Sequence, residues 1–456
     1  LSVMALPPVL ADAGIKAVTA GVRSADAYRA AVTYDWGGVL YLARWIAVLI
    51  GLLGLVGTMR LLMHPSVNPS RRVWIAVVTA VILGTSFFYF KYSHEFRHWI
   101  FIVASLPWTA WFLLRADESE SKKPWVALAA LTLAGFGVSY ISLLYQIMWF
   151  PFLVRWIRRH DRARLIRFGW YCGALLLGMA ALVAWAPDPY LRLWRMSRTE
   201  GYRSTLSFPG LWFYVKVIVL NHPFITAAYV LLVGYGLTFR RLYAATWFQA
   251  VCLAIAVHFT FFASSQGFVP RYSMPIVLFM ILSVGGVVAM EWDRIKAIRP
   301  FMVAIVGLTV AAFLFQSAND IQWMRLASAK PVEMKAAEYV RSLPQGTSVL
   351  FVGRLLPAWH DSASFLAYAS SCLPYESDLY PYMASLPAPD GQKPLSMTYW
   401  CKDAAPPAEV TDAYDVVIRP EGEFMDSAYF EERIVRLWQW DTYGLRYRAQ
   451  DDTEIR

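Results

Sequence analysis

Residues 270–299 read PRYSMPIVLFMILSVGGVVAMEWDRIKAIR, and they indicate the class of fold most clearly. Between residues 273 and 290 this stretch carries no charge, and an apolar run of this length can cross a bilayer core of about 30 Å as an α-helix. Arg294, Lys296 and Arg299 follow closely. Because basic residues collect on the cytoplasmic side of membrane helices, the stretch predicts a transmembrane helix that enters the cytoplasm at its carboxyl end.

The composition of the whole chain extends this prediction. Of its 456 residues, 58% are hydrophobic and 16% are charged, whereas charged residues make up about a quarter of a soluble domain. The 20 Trp, 25 Tyr and 27 Phe residues suit interfacial belts and a partly polar cavity. The net charge of +10 comes with basic residues in short loops beside apolar runs. We therefore expect a lipid bilayer, and no nucleic acid, as a partner.

Further apolar runs predict about nine to ten membrane segments in all, and thus a polytopic α-helical membrane protein. The run at 124–156 has basic residues on both flanks, so it should cross twice, as two short helices that turn near residues 135–140. The run at 211–239 is broken at Asn221-His222-Pro223. The remaining runs are 36–63, 73–90, 99–114, 168–186, 244–263, 273–290 and 301–315.

The two ends of the chain differ from this membrane region, which we place at residues 36–316. Residues 1–35 are mixed in character and contain no recognisable signal peptide. We expect them to be the remnant of an outer loop, with an N-terminal span upstream in a longer protein. Residues 317–456 follow the last span on the non-cytoplasmic side, which is the periplasm in a Gram-negative host.

The residues after the last span have the pattern of a small folded domain. Short apolar runs at 348–352 and 415–418 predict buried strands. The stretches at 334–341 and 361–369 predict helices. The sequence therefore predicts a small C-terminal α/β periplasmic domain.

The four cysteines divide between the two regions. Cys372 and Cys401 lie in the C-terminal domain, in a compartment that favours oxidation, and we predict a disulfide between them. Cys172 and Cys252 fall inside spans and are interpreted as small core residues. No C-x-x-C pair occurs, and we expect no metal site.

A polar loop after the second apolar run contains the first candidate site. Residues 92–97 read YSHEFR. His94, Glu95 and Arg97 could hold an anionic head group or orient an acceptor, since ionisable residues near membrane depth are functional hypotheses by default. The alternative is an ordinary polar loop in which Glu95 pairs with Arg97 or His98.

The second candidate site is Pro270-Arg271-Tyr272, directly before a span. The planar guanidinium of Arg271 can meet a phosphate with paired donors at the membrane surface. A snorkelling arginine beside an anchoring tyrosine has the same sequence pattern. The residues alone leave both interpretations open.

Two further features lie on the predicted non-cytoplasmic side. His222 in the helix break would line a cavity, since helices break at membrane depth only inside protein or beside water, but a lone histidine there can equally be structural. One loop runs against the positive-inside bias and would cover an anionic lipid-linked substrate or contact anionic lipids; its arginines are Arg192, Arg195, Arg198 and Arg203.

The two motifs, in this order, resemble those of GT-C glycosyltransferases. Residues 92–97 are similar to the Y-S-x-E-x-R loop of bacterial relatives of dolichyl-phosphate-mannose protein mannosyltransferases, a group like glycosyltransferase family 39. Residues 270–272 are similar to the P-R-Y element of the same enzymes. The resemblance covers roughly residues 36–320 and includes the order of spans and the short paired helices.

This resemblance implies a hexosyl- or pentosyltransferase of the inner membrane. Such an enzyme moves a sugar from a polyprenyl-phosphate donor to a periplasmic acceptor, which is a lipid, a glycan or a protein. By analogy Arg271 and Tyr272 would bind the donor phosphate, with Arg97 as a second cation. Glu95 and His94 would be catalytic, and no further cofactor is implied.

One part of the family pattern is missing. The family's catalytic Asp lies in the first large outer loop, just after the first span. Asp12, Asp26 and Asp35 are the acidic residues in the matching region, and none stands in a matching motif. Either the catalytic Asp lies upstream of residue 1, or this homologue is inactive.

Two other classes of protein stay open. A transporter or flippase of lipid-linked glycans would also need broken helices and outward-facing arginines, although it should show an internal symmetry that this sequence lacks. A non-catalytic membrane anchor would present its C-terminal domain to other proteins. Such an anchor would need neither the His-Glu-Arg loop nor the Pro-Arg-Tyr element.

Overall fold

The computed structural model describes most of the membrane region and several strands near the C-terminus. The described residues are 6–19, 24, 37–94, 98–185, 208–236, 244–263, 270–328, 348–352, 396–400, 415–419 and 454–455. The chain separates into two compact units, one made of residues 1–4 and 46–320 and the other of residues 5–45 and 321–456.

Helices account for nearly all of the described residues. They are α1 (Leu6–Thr19), α2 (Gly37–Leu62), α3 (Val73–Gly84), α4 (Phe87–His94), α5 (His98–Glu118), α6 (Lys123–Val138), α7 (Trp149–Arg158), α8 (Arg162–Trp185), α9 (Phe208–Asn221), α10 (Pro223–Gly236), α11 (Thr246–Ala263), α12 (Met274–Ala297) and α13 (Arg299–Ser328). Short 3-10 helices at Tyr140–Met148 and Pro270–Ser273 join this series.

The described helices confirm a multi-pass membrane protein. Seven helical segments in the described ranges are long and apolar enough to cross a membrane, and the bent pair α9–α10 would make eight. The helices α3 and α6 are apolar but shorter. Within the described ranges the apolar runs predicted to be spans are helical, except that the run at 73–90 is divided into α3 and α4 at Thr85-Ser86 and is not one continuous span. The number of crossings stays a prediction.

The predicted turn inside the run at 124–156 is confirmed. Helix α6 ends at Val138, and Ser139 has an extended backbone with φ −162° and ψ 130°. The chain then returns as the Tyr140–Met148 3-10 helix, which continues into α7. An extended residue interrupts the helical hydrogen-bond ladder, so the chain can reverse here. The returning segment packs against α6 and α11.

The predicted break between α9 and α10 is also confirmed, and it is sharp. Pro223 begins α10 directly after His222, and a proline has no backbone N–H with which to continue the preceding helix. The axes of α9 and α10 differ by 107°. Helix α9 contacts α11 and the Pro270–Ser273 turn, while α10 packs beside α12. The two helices therefore point in nearly perpendicular directions.

The helix of the opening stretch, α12, is the centre of the membrane core. Every residue from Ser273 to Ala289 is buried except Val284, and α12 packs against α3, α10 and α11. Two glycines permit this close approach. A Cβ on Gly285 would overlap a side chain of α3, and one on Gly286 would overlap the Trp247 ring of α11.

The C-terminal end contains a sheet. Its strands are β1 (Ser348–Val352), β2 (Ser396–Trp400), β3 (Val416–Arg419) and β4 (Glu454–Ile455), in the order β2-β1-β3-β4. Strand β1 pairs in parallel with β2 and β3, and β4 is antiparallel to β3. The strands predicted at 348–352 and 415–418 are thus present as neighbours β1 and β3. The helices predicted at 334–341 and 361–369 lie outside the described residues, so the α/β domain stays a prediction.

Candidate functional site at the Pro-Arg-Tyr turn

The Pro-Arg-Tyr motif forms the 3-10 turn Pro270–Ser273, directly before α12. Proline suits the first position of such a turn, because its ring fixes φ near the helical value. The ring centroid of Tyr272 lies 5.2 Å from that of Trp99 in α5 and 4.4 Å from that of Phe262 in α11. The turn that contains Arg271 is therefore packed against two membrane helices.

A buried histidine of α11 holds the backbone of this turn. His258 is completely buried, and its Nε2 lies 2.5 Å from the carbonyl oxygen of Tyr272. A carbonyl can only accept, so Nε2 is the protonated nitrogen that donates. The other ring nitrogen, Nδ1, then accepts from the hydroxyl of Tyr145 at 2.8 Å. The hydrogen bonds run from Tyr145 through His258 to Tyr272 and select one neutral tautomer.

This relay joins three elements that are distant in sequence. Tyr145 belongs to the Tyr140–Met148 3-10 helix, His258 to α11, and Tyr272 to the turn before α12. Sequence reasoning did not identify Tyr145 or His258. A signal for His258 was available, since a lone ionisable residue inside an apolar span is a functional hypothesis by default. No pattern in the sequence marked Tyr145.

A second network holds the 3-10 helix that supplies Tyr145. The hydroxyl of Tyr171 in α8 donates to Gln146 Oε1 at 2.7 Å. Gln146 Nε2 donates to the hydroxyl of Thr132 in α6 at 3.2 Å, and Trp149 Nε1 donates to Gln146 Oε1 at 3.2 Å. Both amide atoms of Gln146 are thus occupied, which fixes this segment against its two neighbouring helices.

The helix break contains a second group of buried polar residues. Gln316 Nε2 of α13 lies 3.3 Å from His222 Nδ1, and the Thr85 hydroxyl lies 3.5 Å from Gln316 Oε1. The His222 ring also packs against Phe88 of α4, with centroids 5.6 Å apart. His222 is 1% exposed, so it is enclosed by protein at the junction of α9 and α10.

Several atoms of this region lack hydrogen-bond partners within the described part of the chain. They are Asn221 Oδ1, His222 Nε2, Asn319 Nδ2 and Asp320 Oδ1. Asn319 and Asp320 follow Gln316 by three and four residues, so they share its face of α13. We call Asn221, His222, Gln316, Asn319 and Asp320 the break cluster; each is at most 4% exposed.

The structure describes only part of the predicted site. Tyr272 and His222 are described, and they lie in different groups. Helix α9 borders both groups, because it packs against the Pro270–Ser273 turn and ends beside His222. His94 is the last residue of α4, and Arg271 is the second residue of the turn. Glu95 and Arg97 lie outside the described residues, as do Cys372, Cys401 and the 192–203 arginine loop.

One of the acidic candidates near the N-terminus is described. Asp12 in α1 is 3% exposed, and its carboxylate lies 3.2 Å from the Lys16 ammonium one turn later. Pairs at this spacing are common stabilising contacts within helices. Asp26 and Asp35 lie outside the described residues, so the position of a catalytic carboxylate stays a prediction.

Charged side chains contact one another at the helix ends that lie away from the Pro-Arg-Tyr turn. The positive-inside rule predicts that these ends face the cytoplasm. Arg155 donates to Asp117 Oδ2 at 2.8 Å, and Trp156 donates to Asp117 Oδ1 at 2.6 Å. His64 Nε2 lies 3.3 Å from a Glu118 oxygen. Burial lowers the pKa of His64, and the Glu118 carboxylate opposes that shift. These contacts fasten the helix ends to one another, and none of them involves a predicted site residue.

Among the residues that the structure describes, no group of three or more His, Cys, Asp or Glu side chains could hold a metal ion.

The chain has little detectable similarity to known proteins. No family model matches the chain, and no curated protein matches it. Among the solved structures that match is the crystal structure of ArnT from Cupriavidus metallidurans bound to undecaprenyl phosphate, with a TM-score of 0.48 and 11% identity over 87% of this chain and 82% of that chain. A similarity this low assigns no family. The described helices define a class, the multi-pass helical membrane proteins.

Proposed function

We propose that the protein is a membrane glycosyltransferase of the GT-C type. It would transfer a hexose or pentose from a polyprenyl phosphate to a lipid, glycan or protein acceptor on the periplasmic face of the inner membrane. The observation that supports this best is the relay from Tyr145 through His258 to the Tyr272 carbonyl. A snorkelling arginine needs no buried support for its backbone, whereas an arginine that meets a phosphate in a fixed geometry does.

The proposed chemistry uses the charges of the two motifs. The acceptor hydroxyl oxygen attacks the anomeric carbon, the bond from that carbon to the phosphate oxygen breaks, and the polyprenyl phosphate leaves with the electron pair. Arg271 and Arg97 would offset the negative charge that develops on the phosphate. A carboxylate takes the acceptor proton; Glu95, with His94 beside it, is the candidate within this sequence.

One observation favours a second candidate function, a flippase for lipid-linked glycans. Transporters place substrate sites at broken membrane helices, and α9 and α10 form such a break, with a 107° bend. A flippase should move a fluorescent polyprenyl-phosphate glycan across vesicles that contain the purified protein. Transport without glycosyl transfer would favour this candidate over the enzyme.

Binding of undecaprenyl phosphate to Arg271→Ala tests the proposal. The matched control is Arg294→Ala, because Arg294 lies at the other end of α12, where it pairs with Glu291. Native mass spectrometry of the full chain in detergent should show about ten- to hundredfold weaker retention of the lipid by Arg271→Ala, which is the loss expected for one charge-assisted contact of about 1.5 to 3 kcal/mol. Arg294→Ala should bind like the unaltered protein.

Transfer is then measured with radiolabelled undecaprenyl-phosphate glucose, mannose and arabinose in membranes that supply acceptors. Label should move to an acceptor in the presence of the unaltered protein and not of Arg271→Ala. Equal lipid retention by Arg271→Ala and the unaltered protein would refute the phosphate assignment. Equal losses in both arginine variants would show that the effect is not specific to the turn.

A further inference from the structure

The break cluster is a buried polar group that the proposed chemistry does not use. It lies where α9, α10 and α13 meet, and Gln316 connects it to Thr85 next to α3. Each of its members is at most 4% exposed. Hydrogen-bonding atoms without partners are costly in a membrane, because no bulk water can satisfy them. Their presence calls for something that binds them.

The contacts determine which atoms of the first two residues donate and which accept. Asn221 Nδ2 donates to the Val217 carbonyl at 2.8 Å, so the unpartnered Asn221 Oδ1 is an acceptor. The Gln316 amide nitrogen can only donate, so His222 Nδ1 accepts from it. The proton of neutral His222 is then on Nε2, which makes that unpartnered atom a donor.

The last span contributes two further atoms. Asn319 Nδ2 is a donor, and the Asp320 carboxyl accepts at Oδ1 or, when it is protonated, donates there; neither atom has a partner in the described ranges. Both residues lie on the face of α13 that Gln316 shares. The cluster thus offers donors as well as acceptors, with the aromatic ring of Phe88 packed beside His222.

This mixture selects a class of ligand. A phosphate presents acceptors and would leave Asn221 Oδ1 without a donor, and a cation would leave the two N–H groups without an acceptor. A hydroxyl group both donates and accepts, and the ring of a sugar carries several hydroxyls and apolar C–H faces that suit an aromatic neighbour. We propose that the break cluster binds the hydroxyls of a sugar ring.

This inference rests on the proposed function and names the part of the substrate that α9, α10 and α13 recognise. The sugar has two sources, the glycosyl group of the lipid-linked donor or a sugar of the acceptor. Both present the same hydroxyl chemistry to the cluster. Water can also satisfy mixed donors and acceptors, so bound water alone is the competing explanation.

Three kinds of probe separate these sources in binding measurements on the full chain in nanodiscs. They are undecaprenyl phosphate, its glucosyl, mannosyl and arabinosyl esters, and the methyl glycosides of the same sugars. The variants are Asn319→Leu and His222→Phe, which keep approximately the shape of the side chain and remove its hydrogen-bonding atoms; His222→Phe also removes the acceptor of Gln316 Nε2. The matched control is Ser283→Ala in α12, because Ser283 is 1% exposed and its hydroxyl also lacks a partner among the described residues.

We expect the unaltered protein to bind at least one glycosyl ester about tenfold more tightly than undecaprenyl phosphate, which corresponds to 1.4 kcal/mol. Asn319→Leu and His222→Phe should remove this preference and leave binding of the bare lipid unchanged, and Ser283→Ala should keep it. The unaltered protein could instead bind a methyl glycoside and show no preference for the glycosyl ester. If the two cluster variants abolish that binding, the cluster binds a sugar of the acceptor.

The proposal is overturned if the unaltered protein neither prefers a glycosyl ester over undecaprenyl phosphate nor binds a methyl glycoside. It is also overturned if Asn319→Leu and His222→Phe both keep the sugar binding of the unaltered protein. Thermal unfolding guards against misfolded variants. Asn319→Leu removes the unpartnered Nδ2 and should keep or raise the melting temperature, whereas His222→Phe leaves Gln316 Nε2 without its acceptor and should lower it. A lower melting temperature of Asn319→Leu without any effect on sugar binding would show that this amide bonds to water, and would identify bound water as the occupant. Equal retention of undecaprenyl phosphate by Arg271→Ala and the unaltered protein would refute the phosphate site of the proposed function. It would not change the interpretation of methyl glycoside binding.

Discussion

At the residue scale, the two buried histidines differ in how fully they are hydrogen bonded. His258 uses both ring nitrogens, one toward Tyr145 and one toward Tyr272. His222 uses only Nδ1, and its Nε2 has no partner among the described residues. A fully bonded side chain in a low-dielectric interior holds its neighbours in place. We therefore interpret His258 as a positioning residue and His222 as a binding residue.

Removal of the relay should weaken donor binding without unfolding the protein. Tyr145→Phe leaves His258 Nδ1 without a donor, and this should lower the free energy of unfolding by about 1 to 3 kcal/mol. We expect a lower melting temperature and weaker retention of undecaprenyl phosphate. His258→Phe should weaken retention further, because the Tyr272 carbonyl loses its partner. In His258→Gln the side-chain amide can still donate to that carbonyl, so this variant should retain more undecaprenyl phosphate than His258→Phe does.

Tyr89→Phe is the matched control for Tyr145→Phe. Tyr89 is also a buried tyrosine with a hydrogen-bonded hydroxyl, which donates to the Gly51 carbonyl of α2 and takes no part in the relay or in the Gln146 network. It should lower the melting temperature to a similar degree and leave lipid retention unchanged. Equal effects of the two tyrosine variants on retention would show that the relay has only a structural role.

At the element scale, the position of the turn depends on the packing of α12. The helix is buried on all sides from residue 273 to residue 289, apart from Val284. A helix that is apolar all round is suited to the centre of a bundle. Small residues then decide how closely its neighbours approach, and here those residues are Gly285 and Gly286.

Gly286→Ala should destabilise the membrane core. The added Cβ overlaps the ring of Trp247 in α11, and overpacking of this kind costs about 1 to 3 kcal/mol. Thermal unfolding in detergent, followed by size-exclusion chromatography, should show a lower melting temperature. Gly173→Ala in α8 is the matched control, because a Cβ there meets nothing within 4 Å. Equal melting temperatures for the two variants would contradict the described packing.

At the scale of the whole molecule, the distribution of charge predicts how the chain lies in its membrane. Basic residues cluster at one set of helix ends, and the Pro-Arg-Tyr turn lies at the other. The positive-inside rule therefore places the turn and residues 317–456 on the non-cytoplasmic side. This orientation stays a prediction, and the cysteines can test it.

A disulfide between Cys372 and Cys401 is expected in protein isolated from membranes with an alkylating agent present. Disulfides persist in oxidising compartments and are rare in the cytosol, so mapping of non-reduced peptides should find the two cysteines joined. Cys172 and Cys252, which are free thiols in α8 and α11, serve as internal controls and should remain unjoined. Alkylation of both Cys372 and Cys401 as free thiols would contradict the predicted pairing.

Hydropathy and the helix-breaking residues allowed most of the membrane helices to be predicted. The turn at Ser139 was predicted because basic residues flank the run at 124–156 on both sides. The break before Pro223 was predicted because a proline has no backbone N–H with which to continue a helix. The strands β1 and β3 also follow from short apolar runs. The 107° angle between α9 and α10 could not be predicted, because the packing of α9 against α11 and the turn is not encoded at the break itself.

The amino-acid sequence was enough to predict a multi-pass helical membrane protein, since long apolar stretches cross a bilayer only in structures that satisfy their own backbone hydrogen bonds. It also identified Arg271, Tyr272 and His222 as candidate site residues. Only the tertiary structure revealed the relay from Tyr145 and the polar face of α13. Those contacts join residues 113 and 94 positions apart, and such pairs become neighbours only when the helices pack.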